Sequence, residues 1–341
     1  MTVVTPPNTV PSAEDDLFTV KQNSSDNVLN VLANDSDPDG DALTIAAVGL
    51  TDSGGTASTD GGLITYSPAV DFVGTETFTY TVSDGQGGTD IATVSVAVQR
   101  DCSGDALNSL LTSGSSEINL DGECRYLVTE RYGRRALFDI FRRSNLTING
   151  NGATIERSSN APVYGLFYVQ NVQNMTIRDV TIKGGRAEGS SYGLGGGMWV
   201  YGSSLTLSNV QFVGNSARNG GGGLNLYNRS SATLDEVQFV NNTAQSGNGG
   251  GLVVYGGSSA TISNTRFISN SARYGGGVYL SSRSATIVNA VLADNVADDG
   301  AALWTAKGSD VTIENTTITD NLGNPKQAIL AGGTADIKNS I

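Results

Sequence analysis

From Leu205 to the C-terminus, this 341-residue chain repeats itself about every 26 residues. Each copy holds an apolar-Thr-apolar run, a Phe or aliphatic residue three positions before an Asn, and a glycine cluster followed by alternating apolar residues. Clear copies are Leu205-Thr206-Leu207 with Phe212 and Asn215, and Ala260-Thr261-Ile262 with Phe267 and Asn270. Glycine triplets stand at Gly195 to Gly197, Gly221 to Gly223, Gly249 to Gly251 and Gly275 to Gly277. The asparagines Asn215, Asn242, Asn270, Asn295 and Asn321 step by 27, 28, 25 and 26 residues. Loops therefore vary in length while the register is kept. A period in this range is the signature of a solenoid.

Helical repeats would need helix formers and a 3.6-residue rhythm. This stretch instead has short period-two runs such as Leu224-Asn225-Leu226-Tyr227, broken by Gly, Asn and Ser. Three short strands fit one turn, and turns stacked about 4.8 Å apart give three parallel sheets around an apolar interior. The reading is a right-handed three-sheet parallel β-helix of the pectin-lyase-like kind. After each triplet the first and third residues (Met198/Val200, Leu224/Leu226, Leu252/Val254, Val278/Leu280) are expected inside, with Phe212, Phe239, Phe267, Leu292 and Ile318 as a second interior stack. Asn209, Asn264, Asn289, Asn315 and Asn339, interrupted by Glu236, are expected to form a stacked amide row. The glycines supply positive φ or tight corners.

Upstream, runs such as Phe78-Thr79-Tyr80-Thr81-Val82 and Ala92 to Val98 alternate with turn clusters, as in an antiparallel sandwich. The chain thus divides into an extended linker at 1–11, an all-β sandwich at 12–99, a cap and first coil at 100–144, and the β-helix at 145–341. Asn339 corresponds to Asn209, so the last coil is read as unfinished at Ile341. The expectation is that the chain was cut there or that another subunit continues the stack. Met1 is followed by Thr2-Val3-Val4-Thr5-Pro6-Pro7, which lacks a charged n-region and a long apolar run, so the expectation is a mature protein or a fragment without a secretory signal or a transmembrane segment.

Two resemblances add to this. Phe-Val-Gly-Asn at 212–215, Phe-Val-Asn-Asn at 239–242 and Phe-Ile-Ser-Asn at 267–270, each followed by a Gly-Gly-Gly-aliphatic run, resemble the repeats of polymorphic outer membrane proteins. That implies a secreted or surface-bound passenger domain with an adhesive role. The stretches Val31 to Asp41, Tyr66 to Gly74 and Phe78 to Gly85 resemble the cadherin-like Ig-type repeats of bacterial surface adhesins, which act as spacers often stiffened by calcium.

Residues 1–100 carry 14 acidic side chains against Lys21 and Arg100, a net charge of −12, whereas the remaining 241 carry a net of −1. An acidic module repels nucleic acid and anionic membranes and suits cation binding. Asp35, Asp37, Asp39 and Asp41 alternate in a Gly-containing loop and supply hard oxygen ligands at short spacing, as a structural Ca²⁺ requires. A solvated acidic turn is the alternative. Cys102 and Cys124, the only cysteines, flank the junction where the first coil must close. A disulfide and an oxidising compartment are expected, two free thiols being the alternative.

The absence of histidine removes Ser-His and Cys-His catalysis and His-ligated metal sites. Because the β-helix also carries polysaccharide lyases and hydrolases, a carbohydrate-active enzyme is the rival reading, with Asp294, Asp298 and Asp299 the best carboxylates. Asp298-Asp299-Gly300 only faintly resembles the paired aspartates of polygalacturonase-like enzymes, because that family's other motifs, including its His, are missing. Tyr201, Tyr227 and Tyr255 fall at the fourth, outward position of successive coils, with Trp199, Tyr279 and Trp304 at the second. Such an aromatic column suits sugar rings or a packed protein interface, or simply stacks on itself. Arg125, Arg131, Arg134, Arg135, Arg142 and Arg143 precede the first regular coil near Glu123, Glu130 and Asp139, as an intramolecular network or a patch for acidic glycans. The sequence therefore reads as a non-catalytic extracellular or cell-surface protein, structural or adhesive. Its expected partners are surface glycans or proteins, or its own copies joined head to tail into a filament through residues 2–5.

Overall fold

A computed structural model describes residues 7–188, 193–281, 284–323, 328–332 and 334–340. The chain divides into two compact units between Asp101 and Cys102.

The first unit is a β-sandwich. One four-stranded sheet holds Asp16–Lys21, Thr44–Val48, Gly74–Ser83 and Thr89–Gln99, and a three-stranded sheet holds Asn27–Leu29, Thr56–Thr59 and Ile64–Ser67. The pairing is antiparallel except where Asp16–Lys21 runs parallel to Thr89–Gln99. Alternation along Gly74–Ser83 buries Glu76, Phe78, Tyr80 and Val82, and along Thr89–Gln99 it buries Ala92, Val94, Val96 and Val98. Glu76 is fully buried, yet its carboxylate accepts from the Tyr66 hydroxyl and from the backbone N–H groups of Ser53 (3.1 Å) and Gly55 (2.8 Å). Those partners offset the desolvation of a charge that the core would otherwise not tolerate.

The second unit is a parallel β-helix with sheets of eight, fifteen and six strands among the described residues. The expected interior holds: Met198, Val200, Leu224, Leu226, Leu252, Val254, Val278 and Leu280 are all fully buried. Phe212, Phe239 and Phe267 stack face to face at centroid spacings of 5.0 and 4.8 Å. The expectation of three strands per turn needs correction, because each regular turn uses four segments. Two of them belong to the fifteen-stranded sheet, as in Ser204–Val213, which spans both without a break.

The expected amide row is present only in part: Asn289 Nδ2 donates to Asn264 Oδ1 at 3.4 Å, whereas Asn209 and Asn264 donate to Asp179 and Asp235 of the preceding coil. Asn209, Asn264, Asn289, Asn315 and Asn339 adopt φ near 50°, as does Glu236. They form the bend between the two segments, a left-handed conformation that a short amide side chain tolerates. The continuous amide ladder is instead the column used above only to measure the period. Asn215 Nδ2 donates to Asn242 Oδ1, Asn242 to Asn270, and Asn270 to Asn295, each at 3.0 Å, and Asn295 donates to Asn321 at 2.9 Å. Each Oδ1 also accepts the backbone N–H of the preceding asparagine at 3.0 Å. The second amide proton of Asn242 goes to Phe212 O, that of Asn270 to Phe239 O and that of Asn295 to Phe267 O.

The glycine triplets turn the chain beside this ladder. Gly221 has φ of +61°, and a Cβ at Gly222 would lie 2.4 Å from the carbonyl oxygen of Gly250 in the next coil, so no side chain fits there.

The N-terminal end of the β-helix is closed by a feature absent from the sequence reading, an α-helix at Gly104–Thr112. Ser103 Oγ accepts the N–H of Ala106 as its N-cap, and Leu107 and Leu111, one turn apart, are buried in the first coil. Cys102 and Cys124 form a disulfide that ties the start of this helix to the first coil.

Substituting Asn242 with Ala orphans the buried N–H of Asn215, a loss of about 1–3 kcal/mol, and is expected to lower the denaturant midpoint. The exposed Thr233→Ala variant should change stability by less than about 0.5 kcal/mol; equal midpoints for the two would refute the structural role of the ladder. Replacing both cysteines with Ala is expected to lose about 3 kcal/mol, from closure of a loop of this length. Native oxidised protein should offer no thiol to an alkylating reagent, and two alkylated cysteines would contradict the bridge.

Candidate functional site

Two places in the described structure bring chemistry-bearing side chains together, one in each unit. In the sandwich it is the acidic loop. Asp37, Asp39 and Asp41 each place a carboxylate oxygen within 4.8 Å of the others. Asp37 Oδ1 accepts the N–H groups of Asp39 (2.8 Å) and Asp41 (3.2 Å), which fold the loop back on itself. Its Oδ2 is buried without a hydrogen-bond partner. Asp39 Oδ2 accepts the N–H of Thr9 at 2.7 Å. Burial, followed by the negative charges of Asp37, Asp39 and Asp84, pushes the Asp41 carboxyl above its ordinary value.

Asp35 does not join them. Its carboxylate accepts the Tyr80 hydroxyl at 2.9 Å and the N–H of Glu14 at 2.8 Å, so the expected set of four reduces to three. Alternation along the chain places the four on a common side only in an extended strand, and here the 3-10 turn Val31–Ala33 precedes Asp35. Asp84 lies close enough to act on Asp41, but the Asn8 amide, with the N–H groups of Gln86 and Gly88, holds its carboxyl below the usual range. Three mutually repelling carboxylates, one with a buried unpartnered oxygen, fit a hard divalent cation by the chemistry of the donor set.

In the β-helix the site is the outward face of the eight-stranded sheet. Tyr201, Tyr227 and Tyr255 occur at the expected fourth position and are half-buried. Tyr227 stacks on Tyr255 at 4.4 Å, and Tyr201 meets Tyr227 edge-on at 5.6 Å. Burial, with a smaller contribution from Tyr227, pushes the Tyr255 hydroxyl up to about 12.

The second position differs from the expectation of an open aromatic face. Its column runs Tyr168, Trp199, Asn225, Val253, Tyr279 and Trp304, and the first four of these are buried. The segments before the glycine triplets cover them. Leu194, Gly220, Asn248 and Tyr274 form their own parallel bridges from coil to coil, and Leu194 packs on the cluster around Trp199. The covering backbone comes so close that a Cβ at Gly249 would lie 2.4 Å from the Val253 side chain. Only Tyr279 and Trp304, stacked at 4.5 Å, are half-exposed in this column.

Four of the six arginines before the first regular coil are engaged within the unit through their side chains. Arg125 pairs with Glu156 at 2.6 Å, Arg135 donates to the Tyr168 hydroxyl at 2.7 Å, Arg143 donates to Leu111 O at 2.9 Å, and Arg131 lies over the Tyr164 ring. Asp294 and Asp298 are exposed and Asp299 is half-buried. No helix among the described residues is long and apolar enough to cross a membrane.

Comparison with known families agrees with both folds. Residues 8–97 match the bacterial Ig domain family, and residues 235–341 match the right-handed beta helix region. Searches of the curated proteins and of the solved structures return no match. The chain is thus an all-β protein with an N-terminal Ig-like domain followed by a right-handed parallel β-helix, a combination that fits a surface or extracellular protein.

Proposed function

We propose that this chain is a non-catalytic adhesive or structural protein of a bacterial surface, in which a calcium-stabilised Ig-like domain precedes a β-helix that carries the contact face. The observation that supports an adhesive role most directly is the half-exposed ladder of Tyr201, Tyr227 and Tyr255, a run of flat rings on a rigid sheet. Its Phe-x-x-Asn and Gly-Gly-Gly-aliphatic repeats, similar to those of polymorphic outer membrane proteins, favour the same reading. Head-to-tail assembly into a filament is the further proposal. The Thr2-Val3-Val4-Thr5 segment and Ile341, singled out for it in the sequence, lie outside the described residues.

Asp37, Asp39 and Asp41 would hold the calcium, with backbone carbonyls or water completing the six to eight oxygens it takes. Binding only the folded state, the ion stabilises it by mass action, by about 2.7 kcal/mol at a hundredfold excess over Kd. The sandwich is expected to melt higher in calcium than in chelator, and Asp37→Asn should abolish the difference. Acid should weaken binding: protons compete for Asp41, whose carboxyl is raised in the free protein, so affinity falls as pH drops through the carboxylate range. The same raised value means that, without calcium, ionising Asp41 opposes folding, a penalty relieved as Asp41 is protonated. Identical melting curves in calcium and chelator would remove the metal proposal.

For adhesion, labelled full-length chain is expected to bind bacterial cells or glycan-coated surfaces, and replacing Tyr201, Tyr227 and Tyr255 with Ser should weaken that binding at least about tenfold, or 1.4 kcal/mol. The glycan coat should remain uncleaved. Undiminished binding by the triple variant would refute the contact face, and release of shortened glycan would favour the carbohydrate-active enzyme.

A further inference from the structure

We propose that a cavity on the outward face of the eight-stranded sheet, beside Tyr255, is a subsite for one ring of a neutral saccharide, recognised by the side-chain amide of Asn225. The proposal rests on the adhesive reading above and names the ligand chemistry and the residues that would recognise it. The cavity measures about 180 Å³ and is lined by Asn219, Asn225, Asn248, Tyr255, Tyr279 and Ser281. At about 30 Å³ per water it holds roughly six waters. That is below the range typical of drug-sized ligands and suits a single small ring.

Asn225 sets this cavity apart. It is fully buried, and neither its amide nitrogen nor its amide oxygen has a hydrogen-bond partner. The asparagines of the interior ladder, by contrast, bond at both amide atoms. In its column it stands between Trp199 and Val253, where an apolar side chain completes the packing without orphaning any polar group. Keeping an unpaired amide there opposes folding. The Gly220 segment closes off the two amide atoms, so a ligand with adjacent hydroxyls resolves the conflict as that segment gives way: the amide oxygen then accepts from one hydroxyl and the amide nitrogen donates to the next. Shielded from bulk water, those bonds gain strength.

The walls narrow the ligand class. The described residues lining the cavity include no charged group, only amides, hydroxyls, tyrosine rings and the apolar Leu194 and Val253. A cation or anion would find no counter-charge, whereas a neutral polyol finds donors, acceptors and ring faces. The Tyr255 hydroxyl, pushed up to about 12, remains a protonated donor throughout the physiological range.

Gly220, at the wall, provides a variant independent of Asn225. A methyl group there would lie 3.5 Å from Asn225 Nδ2 and 3.4 Å from Asn248 O, ordinary contacts that need no backbone movement. Gly220→Ala therefore fills the space against the amide and leaves the fold intact.

The test is saturation-transfer NMR and calorimetric titration of the full chain with the methyl glycosides of glucose, galactose, mannose and N-acetylglucosamine. At least one is expected to bind at millimolar concentration. Asn225→Val and Gly220→Ala should each weaken it at least about tenfold, or 1.4 kcal/mol, with the melting temperature unchanged or raised. If Asn225→Val fails to fold, Gly220→Ala carries the test. Absence of glycoside binding by the unmodified chain, or undiminished binding by a folded Gly220→Ala variant, overturns the subsite. Cell attachment that persists without glycoside binding removes the subsite while leaving the adhesive reading standing.

Discussion

The regular part of the β-helix depends on one repeated interaction, the asparagine at the corner of each coil from Asn215 to Asn321. Asn242 and Asn270 are fully enclosed, and each is held by the coil before and the coil after. A buried amide left unpaired is costly, so a coil that slipped by one residue would orphan two amides at once. The phenylalanines three residues earlier stack within 5.0 Å, adding a second constraint that forbids the same slip. Between them, the amide and the ring fix one corner of the three turns that carry both, at Phe212/Asn215, Phe239/Asn242 and Phe267/Asn270. The rest of the coil can then vary from 25 to 28 residues without disturbing the stack.

With the interior pinned, variation is confined to the outside, and its columns differ in how they meet solvent. The fourth position keeps a half-exposed tyrosine in three coils, while the second is covered from Tyr168 to Val253 and half-exposed at Tyr279 and Trp304. That cover is possible because Gly221 and Gly249 lack side chains: a Cβ on either would collide with the chain it covers. Asn225 is the point where local chemistry and the surrounding packing disagree, and such disagreement is characteristic of functional positions rather than of cores.

Much of this was legible in the sequence. The period, the interior aliphatic positions and the phenylalanine stack follow from residue type and spacing alone, because burial selects apolar residues at fixed intervals. The asparagine rows did not sort themselves. Asn209 and Asn215 recur with the same period, and only backbone geometry separates the left-handed bend at Asn209 from the enclosed ladder at Asn215. The helix Gly104–Thr112 had a readable signal in the Ser103 cap and in the spacing of Leu107 and Leu111, masked by the Ser- and Gly-rich residues around it. The cover over Trp199, Asn225 and Val253 was invisible, because glycine-rich segments carry no pattern that says which way they fold. That Asp35 stands apart from the other three was not legible, because Tyr80, which holds its carboxylate, lies 45 residues away.

The uneven charge gives the two units different physics. Nearly all of the net charge of −13 belongs to the first hundred residues, and the β-helix portion is close to neutral. In the sandwich, burial and then the neighbouring carboxylates raise the proton affinity of Asp41. On the outward face of the eight-stranded sheet the available contacts are rings, amides and hydroxyls, which salt scarcely screens. A contact made there by stacking and neutral hydrogen bonds keeps its strength where ionic strength varies. The proposed ion binding and the proposed recognition of a neutral ligand therefore rest on different physics, the first on charge and the second on stacking and neutral hydrogen bonds.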